Sequence, residues 1–286
     1  MNDPVLNIIP EIPIAEWIEW LTDKITDVFS FIFNPINTHF GNFMEFMAED
    51  ILMNIPPFIF ILAIAVLAFF ISGKRFGLAI FSIIGLWLIY NQGHWDDLMN
   101  TVTLVLLASL LSVLIGIPIG IWMSKSKVAN AAITPILDFM QTMPAFVYLI
   151  PAVAFFGIGM VPGVFASLIF ATPPTVRFTN LGIRQVSKEL VEAADAFGST
   201  GAQKLFKVEL PMAKPTIMAG INQTVMLALS MVVIASMIGA RGLGREVLSA
   251  LQRAEAGTGF VAGIAIVILA IIMDRITQNF NKKKDD

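Results

Sequence analysis

The sequence predicts an all-α integral membrane protein with about seven transmembrane helices, preceded by an amphipathic helical arm. Three features predict this class: a scarcity of charge, a series of long apolar segments, and an N-terminal stretch whose apolar residues recur at helical spacing. Only 14% of the 286 residues are charged, against about 25% in soluble domains. Because so few charges do not build a water-soluble surface of this size, a soluble enzyme and a disordered chain are excluded.

Composition excludes further classes. The chain has no cysteine, so it forms no disulfide and offers no thiolate to a metal or a substrate. Its net charge is −3, whereas nucleic-acid binding requires a basic stripe, so no nucleic-acid partner is expected. His39 and His94 have no second ligand at metal spacing, so no metal site is predicted.

Seven apolar segments are candidate transmembrane helices, each of which needs about 20 residues. They are Ile55–Ser72, Phe76–Tyr90, Leu98–Met123, Ala131–Phe156, Met160–Pro173, Thr216–Ile238 and Phe260–Asp274. The fifth is short and flanked by prolines. It is either a broken helix beside a transport path or a bent packing helix.

The distribution of positive charge predicts the orientation in a lipid bilayer. With the N-terminus outside and seven spans, 14 of the 18 Lys and Arg residues fall in cytoplasmic segments, and the C-terminus is cytoplasmic. The four basic residues left outside are Lys24, Arg241, Arg245 and Arg253.

The first fifty residues predict amphipathic helices rather than a span. Apolar residues from Ile14 to Ile32 recur every three or four positions with acidic residues between them, and a second such stretch follows Pro35. Acidic faces do not attract anionic lipid. We therefore expect this arm to lie on the outer membrane interface and to brace other parts of the protein.

The long polar segment Thr175–Pro215 predicts two short helices joined by a tight turn. The first covers Lys188–Phe197 and ends at Gly198, since glycine accepts the left-handed conformation at a helix end. The second begins with Thr200 and Gln203, which have the spacing of a capping box. Small residues in the first helix let another surface approach its backbone closely.

This segment resembles the EAA motif of ATP-binding-cassette importer permeases. The family pattern is Glu-Ala-Ala, three residues, Gly, nine residues, then Ile, any residue and Leu-Pro; this chain departs from it only by Val208 in place of Ile. The matching positions are Glu192, Ala193, Ala194, Gly198, Leu210 and Pro211. The resemblance implies that these residues lie at the joint with a separate ATPase subunit.

Two other segments narrow the resemblance. Gln141–Pro151 with Phe155–Gly159 is similar to the fourth span of glycine betaine/proline betaine permeases, and Ile238–Gly244 is similar to the segment after their penultimate span. The resemblance covers about Leu98–Asp274. It implies the five-helix core of a type I ABC importer and a role as permease subunit for glycine betaine or proline betaine in osmoprotection. It also implies a homodimer in the bacterial plasma membrane, two ATPase subunits and an extracellular substrate-binding protein.

The predicted organisation has four parts. Residues 1–54 form the amphipathic arm, residues 55–97 two accessory transmembrane helices, and residues 98–278 the permease core with its coupling loop 175–215; residues 279–286 form a charged tail. The chain has no Gly-x4-Gly-Lys-Ser/Thr loop. We therefore expect no catalytic residue and no cofactor in this chain, with ATP and Mg bound by the partner ATPase.

Polar and aromatic residues of the predicted fourth and sixth spans are candidates for the substrate path. They are Gln141, Thr142, Pro144, Phe146, Tyr148, Asn222, Gln223 and Ser230. Each is alternatively a helix–helix contact, which is common in membranes. Asp138 is expected to pair with Lys125 or Lys127 at the cytoplasmic edge.

Other functions remain open at this point. The same architecture serves choline, carnitine or another amino-acid-like solute equally well. An ion-coupled secondary carrier is disfavoured because the predicted spans hold almost no ionisable groups for a relay. A purely structural scaffold is compatible with the arm, whereas the coupling motif argues against it.

Overall fold

The computed structural model describes residues 12–282, and every regular element in that range is helical. An arm helix, α1 (Ile14–Glu45), continues into a π-helical segment, Phe46–Met53, and is followed by α2 (Pro57–Ile71) and α3 (Phe76–Asn91). The remaining helices are α4 (Trp95–Lys125), α5 (Lys127–Thr142), α6 (Leu149–Phe156), α7 (Met160–Arg184), α8 (Lys188–Ala196), α9 (Gly201–Lys204), α10 (Leu210–Ser236), α11 (Leu243–Gln252) and α12 (Ala256–Lys282).

The centre of the molecule is formed by α4, α7 and α10, which pack closely through small residues. A Cβ atom at Gly120 would lie 2.7 Å from the carbonyl oxygen of Val176, so only glycine admits this approach of α4 to α7. Between α7 and α10, the hydroxyls of Thr175 and Thr224 are 2.7 Å apart, and Thr224 donates to the carbonyl of Ala171 at 2.8 Å. Close packing and buried hydroxyl bonds are what hold helices together in lipid.

Contacts at the two ends of α4 define the two ends of the protein. Near its start, the Thr101 hydroxyl accepts a hydrogen bond of 2.9 Å from the backbone amide of Leu243, which begins α11. At its last residue, Lys125 forms an ion pair with Glu209. About 36 Å of helix separates these contacts at 1.5 Å per residue, comparable with a bilayer core of about 30 Å. We call the Lys125 side the basic end and the Thr101 side the far end.

Fewer helices qualify as continuous spans than the seven predicted. Among the described residues, α4, the helix Gly201–Ser236 and α12 are long and apolar enough to cross a membrane. The count reaches five if two bent pairs of helices, the arm with α2 and α5 with α6, each form one span. The predicted second span is α3, with only 16 residues. The predicted fourth span, Ala131–Phe156, is not one helix, because the chain bends by 110° between α5 and α6. Pro144 explains the bend, since it lacks an amide proton and forces Met143 into an extended conformation.

The predicted fifth span, Met160–Pro173, is wrong in its length. The helix α7 has 25 residues and continues through Pro173 and Pro174 to Arg184. The prolines are buried, and the hydroxyl of Thr172 donates to the carbonyl of Leu168 in the preceding turn. A proline-containing helix within a membrane is tolerated where the surrounding protein satisfies the backbone groups that proline leaves without hydrogen bonds. The connection between α7 and α10 therefore begins after Arg184 rather than at Thr175.

The arm braces the core, as the sequence predicts, although Pro35 does not interrupt it. Phe33 stacks on Phe155 at a centroid distance of 5.0 Å, Phe40 contacts Phe165 at 5.8 Å, and Met44 is fully buried. These contacts lie in the second half of α1. The first half leaves Trp17 and Trp20 exposed, and its location on the membrane interface stays a prediction.

Candidate functional site

At the basic end, α8 and α9 form the tight helix–turn–helix that the sequence predicts. Gly198 has φ +74°, and its amide donates to the carbonyl of Asp195 at 2.9 Å. The next amide, of Ser199, donates to the carbonyl of Ala194 at 3.0 Å. Together these bonds form the Schellman motif, in which a left-handed residue closes a helix.

The second helix of this turn is fixed by side chains. The predicted capping box of α9 is confirmed: the amide of Gln203 donates to the Thr200 hydroxyl at 3.3 Å, and the Gln203 side chain accepts from the Thr200 amide at 2.9 Å. Lys204 reaches back to the carboxylate of Asp195 at 2.7 Å. The angle between α8 and α9 is therefore held by the turn, the cap and one ion pair.

The motif residues of α8 lie next to a large, exposed apolar side chain at the end of the helix. Glu192 and Ala193 are exposed, while Ala194 faces inward and is buried. Phe197, which the sequence predicts only as the last residue of the first helix, is 91% exposed. Phe206, in the segment that follows α9, is also 66% exposed, and aromatic side chains are enriched at protein–protein interfaces.

The turn is tied to the core through the π-helical segment Leu205–Glu209. The side chain of Glu209 is 7% exposed and forms an ion pair with Lys125 at the end of α4. Leu210 packs with Ile183 and Ile217, and Pro211 is exposed at the start of α10. The α8–α9 turn is thus connected directly to α10 and, through one ion pair, to α4.

A cavity of about 420 Å³ opens where α5, α7 and α10 face one another. It is lined by Gln141, Phe170, Pro174, Arg177, Phe178, Gln223 and Leu227. The guanidinium of Arg177 pairs with Asp138, one turn before Gln141 on α5. The expected pairing of Asp138 with Lys125 or Lys127 is wrong, because α7 is helical through Arg177 and brings that side chain into the bundle.

Only some of the predicted path residues meet at this cavity. Gln141 and Gln223 line it together, from α5 and α10. Thr142, Pro144 and Phe146 are exposed at the neighbouring bend between α5 and α6. Ser230 is exposed farther along α10, and its hydroxyl donates to the carbonyl of Met226 in the same helix.

Tyr148 and Asn222 lie outside the cavity lining and make helix–helix contacts. The Tyr148 hydroxyl donates to the carbonyl of Met140, which fastens the bend. The side-chain amide of Asn222 donates to Asp274 on α12 at 2.9 Å. Both residues match the alternative prediction for the polar residues in these spans, which is a contact between helices rather than a position on the substrate path.

The glycines of Ile238–Gly244 form a tight turn at the far end. Gly242 has φ +123°, and a Cβ there would lie 2.5 Å from the Thr101 hydroxyl oxygen. Next to it, the exposed Arg241 guanidinium lies 3.4 Å from the Glu49 carboxylate of the arm. The turn, the arm and α11 thus form one surface at this end.

One cluster at the far end was not predicted. His94, Asp97 and Glu246 bring one ligand atom each within 4.8 Å of the others. One imidazole and two carboxylates suit a divalent cation. However, Asp97 and Glu246 occupy the first turns of α4 and α11, where the helix dipole favours a carboxylate without any ion. The imidazole of His94 lies 3.5 Å from Asp97, which adds a local partner.

Solved structures confirm the fold. A chain of the MetNI methionine ABC transporter in an inward-facing conformation matches with a TM-score of 0.61 over 68% of this chain and 95% of that one, at 19% identity. A chain of an amino acid ABC transporter with histidines matches with a TM-score of 0.53 over 68% of this chain and 91% of that one, at 24% identity. The type I importer core predicted from the sequence is therefore the observed one.

Sequence relatives are more similar and cover nearly the whole chain. The glycine betaine/carnitine transport permease protein GbuB of Listeria monocytogenes serotype 1/2a (strain 10403S) is 61% identical over 96% of this chain and 98% of its own length. The glycine betaine transport system permease protein OpuAB of Bacillus subtilis (strain 168) is 52% identical over 96% and 97%. The family description "Binding-protein-dependent transport system inner membrane component" matches residues 112–286. This chain belongs to that family of membrane-embedded permease components of ABC importers.

Proposed function

We propose that the protein is the permease subunit of an ATP-driven importer of a quaternary-ammonium compatible solute, glycine betaine or proline betaine. The observation that carries this proposal is the 61% identity to a glycine betaine/carnitine permease over nearly the full length of both chains. The exposed α8–α9 turn supports the same function, because it offers a docking surface that is rigidly tied to two core helices.

The proposed assembly has two copies of this chain, two ATPase subunits that bind ATP and Mg, and an extracellular substrate-binding protein. The basic end faces the cytoplasm, in accord with the positive-inside rule, and the ATPase subunits dock there on Phe197 and its neighbours. The binding protein docks at the far end, where Arg241 and Glu49 are exposed.

In the proposed cycle, ATP binding draws the two ATPase subunits together and moves α8 and α9. The Glu209–Lys125 pair carries the displacement to α4, and α10 carries it directly into the bundle. The cavity between α5, α7 and α10 then opens toward the far end and receives the solute. Hydrolysis restores the inward-open state and releases the solute to the cytoplasm.

The alternative cargo is choline or carnitine, carried by the same machine. An ion-coupled carrier is less well supported, since the ionisable groups inside the bundle are engaged in pairs rather than arranged as a relay. The test is uptake of labelled glycine betaine into vesicles that hold the permease, its ATPase and its binding protein. We expect uptake only with ATP; equal uptake without ATP contradicts the proposal, and uptake of choline alone favours the alternative cargo.

A further inference from the structure

We propose that the cavity between α5, α7 and α10 is a transient binding site for a zwitterion bearing a carboxylate and a quaternary ammonium group. Arg177 and Asp138 are its two charged binding residues. This inference rests on the proposed function and assigns a substrate site inside the permease itself.

The ion pair lies between the helices of the bundle rather than beyond their ends, because Asp138 is inside α5 and Arg177 is inside α7. Arg177 lines the same cavity as Gln223, which is near the middle of α10, about 20 Å of helix from its start at Leu210. Charged side chains between membrane-spanning helices are costly, and they are characteristically found facing a substrate or ion path. Packing alone gives no reason to place a carboxylate and a guanidinium here.

The pair is open rather than enclosed. The Arg177 side chain is 36% exposed and that of Asp138 is 58% exposed, whereas Glu209 in the pair at the basic end is 7% exposed. The guanidinium is also incompletely bonded: its Nε is buried, and no described residue accepts a hydrogen bond from it. Arg177 and Asp138 are therefore able to exchange partners without unpacking the helices.

The chemistry of a betaine matches both halves of the pair. Its carboxylate takes the place of Asp138 on the Arg177 guanidinium, which binds carboxylates through two parallel hydrogen bonds. Its quaternary ammonium group has no N–H to donate, so it is bound by a nearby negative charge and by the faces of aromatic rings. Asp138 supplies the charge, and the rings of Phe170 and Phe178 line the same cavity. The exchange leaves no uncompensated charge in the bundle, which is the arrangement that would cost most.

This arrangement also sets the specificity and the strength of the site. A quaternary cation without a carboxylate, such as choline, can pair with the Asp138 carboxylate only if Arg177 is left without a partner. The site therefore favours zwitterions. Because every solute must displace an existing ion pair, binding is weak. A weak site suits a transport path, in which the solute has to leave as readily as it enters.

The test uses the complete transporter in vesicles and measures labelled glycine betaine uptake and ATP hydrolysis together. We expect Arg177→Gln and Asp138→Asn each to lower betaine uptake per ATP hydrolysed at least tenfold. Hydrolysis stimulated by the binding protein should stay within twofold, because the coupling turn is untouched. Exchange of the two charges, Arg177→Asp with Asp138→Arg, should restore part of the uptake. Lys127→Gln, which removes an exposed charge from the same helix α5, is the matched control and should leave uptake unchanged.

The outcomes separate the two proposals. If the unaltered complex takes up no betaine, the proposed function fails. If the unaltered complex works and Arg177→Gln also transports normally, only the internal site is refuted. Parallel loss of uptake and hydrolysis in the single variants would make the pair a structural contact and would also refute the site.

Discussion

Gly198 is required by its backbone conformation rather than by lack of space. Its φ is +74°, yet no heavy atom lies within 4 Å of a Cβ built there. A residue with a branched Cβ in this conformation costs about 1–2 kcal/mol, while asparagine adopts it more readily. We predict that Gly198→Val lowers ATP-driven uptake several-fold by changing the angle between α8 and α9.

Gly198→Asn serves as the control for that prediction. It fills the same open space with a polar side chain but keeps the left-handed turn, so it should retain most of the uptake. Uptake in vesicles with equal amounts of each permease variant measures both. Equal losses in the two variants would contradict the backbone explanation and would point to a clash with the docked ATPase.

Among the elements, the connection between the α8–α9 turn and α4 depends on one asymmetric ion pair. Glu209 is 7% exposed, whereas Lys125 is 40% exposed. Loss of Lys125 leaves a buried carboxylate without its partner, a change that costs about 3–5 kcal/mol in enclosed pairs. Loss of the Glu209 charge leaves a lysine that water can reach. We predict that Lys125→Met lowers the melting temperature of the purified permease by several degrees and Glu209→Gln by clearly less.

Two further variants complete that experiment. The double variant Lys125→Met with Glu209→Gln should regain part of the stability, because no buried charge remains. Lys214→Met removes an exposed lysine at the same end of the protein and should have no effect. If the two single variants melt at the same temperature, the difference in exposure between Glu209 and Lys125 has no effect on stability.

Elements that depend on local bonds could be predicted from the sequence, whereas elements that depend on tertiary packing could not. The α8–α9 turn was predictable in detail, since Gly198, Thr200 and Gln203 act through local bonds that neighbouring residues determine. The length of α7 was not predictable, because Pro173 and Pro174 end a helix in isolation and are accommodated only by packing against α4 and α10. The wrong prediction of the partner of Asp138 has the same cause, because a helix that ended at Pro173 would leave Arg177 in a loop.

For the whole molecule, the contacts along α4 connect the architecture to the orientation. This helix contacts the α11 region near its start and Glu209 at its last residue. The α8–α9 turn and α11 are therefore on opposite sides of any bilayer that α4 crosses. Since the basic residues gather on the side of the turn, we predict that α8 and α9 are cytoplasmic and that the end of α11 is outside the cell.

The absence of cysteine from the sequence makes this orientation directly measurable, because each introduced thiol is the only one in the chain. Lys127→Cys marks the basic end and Gln252→Cys the far end, and both positions are exposed. A membrane-impermeant maleimide should label Gln252→Cys in intact cells and Lys127→Cys only after the membrane is opened. The reverse pattern would place the coupling turn outside, where no ATP-hydrolysing subunit meets ATP, and would contradict both the orientation and the proposed import mechanism.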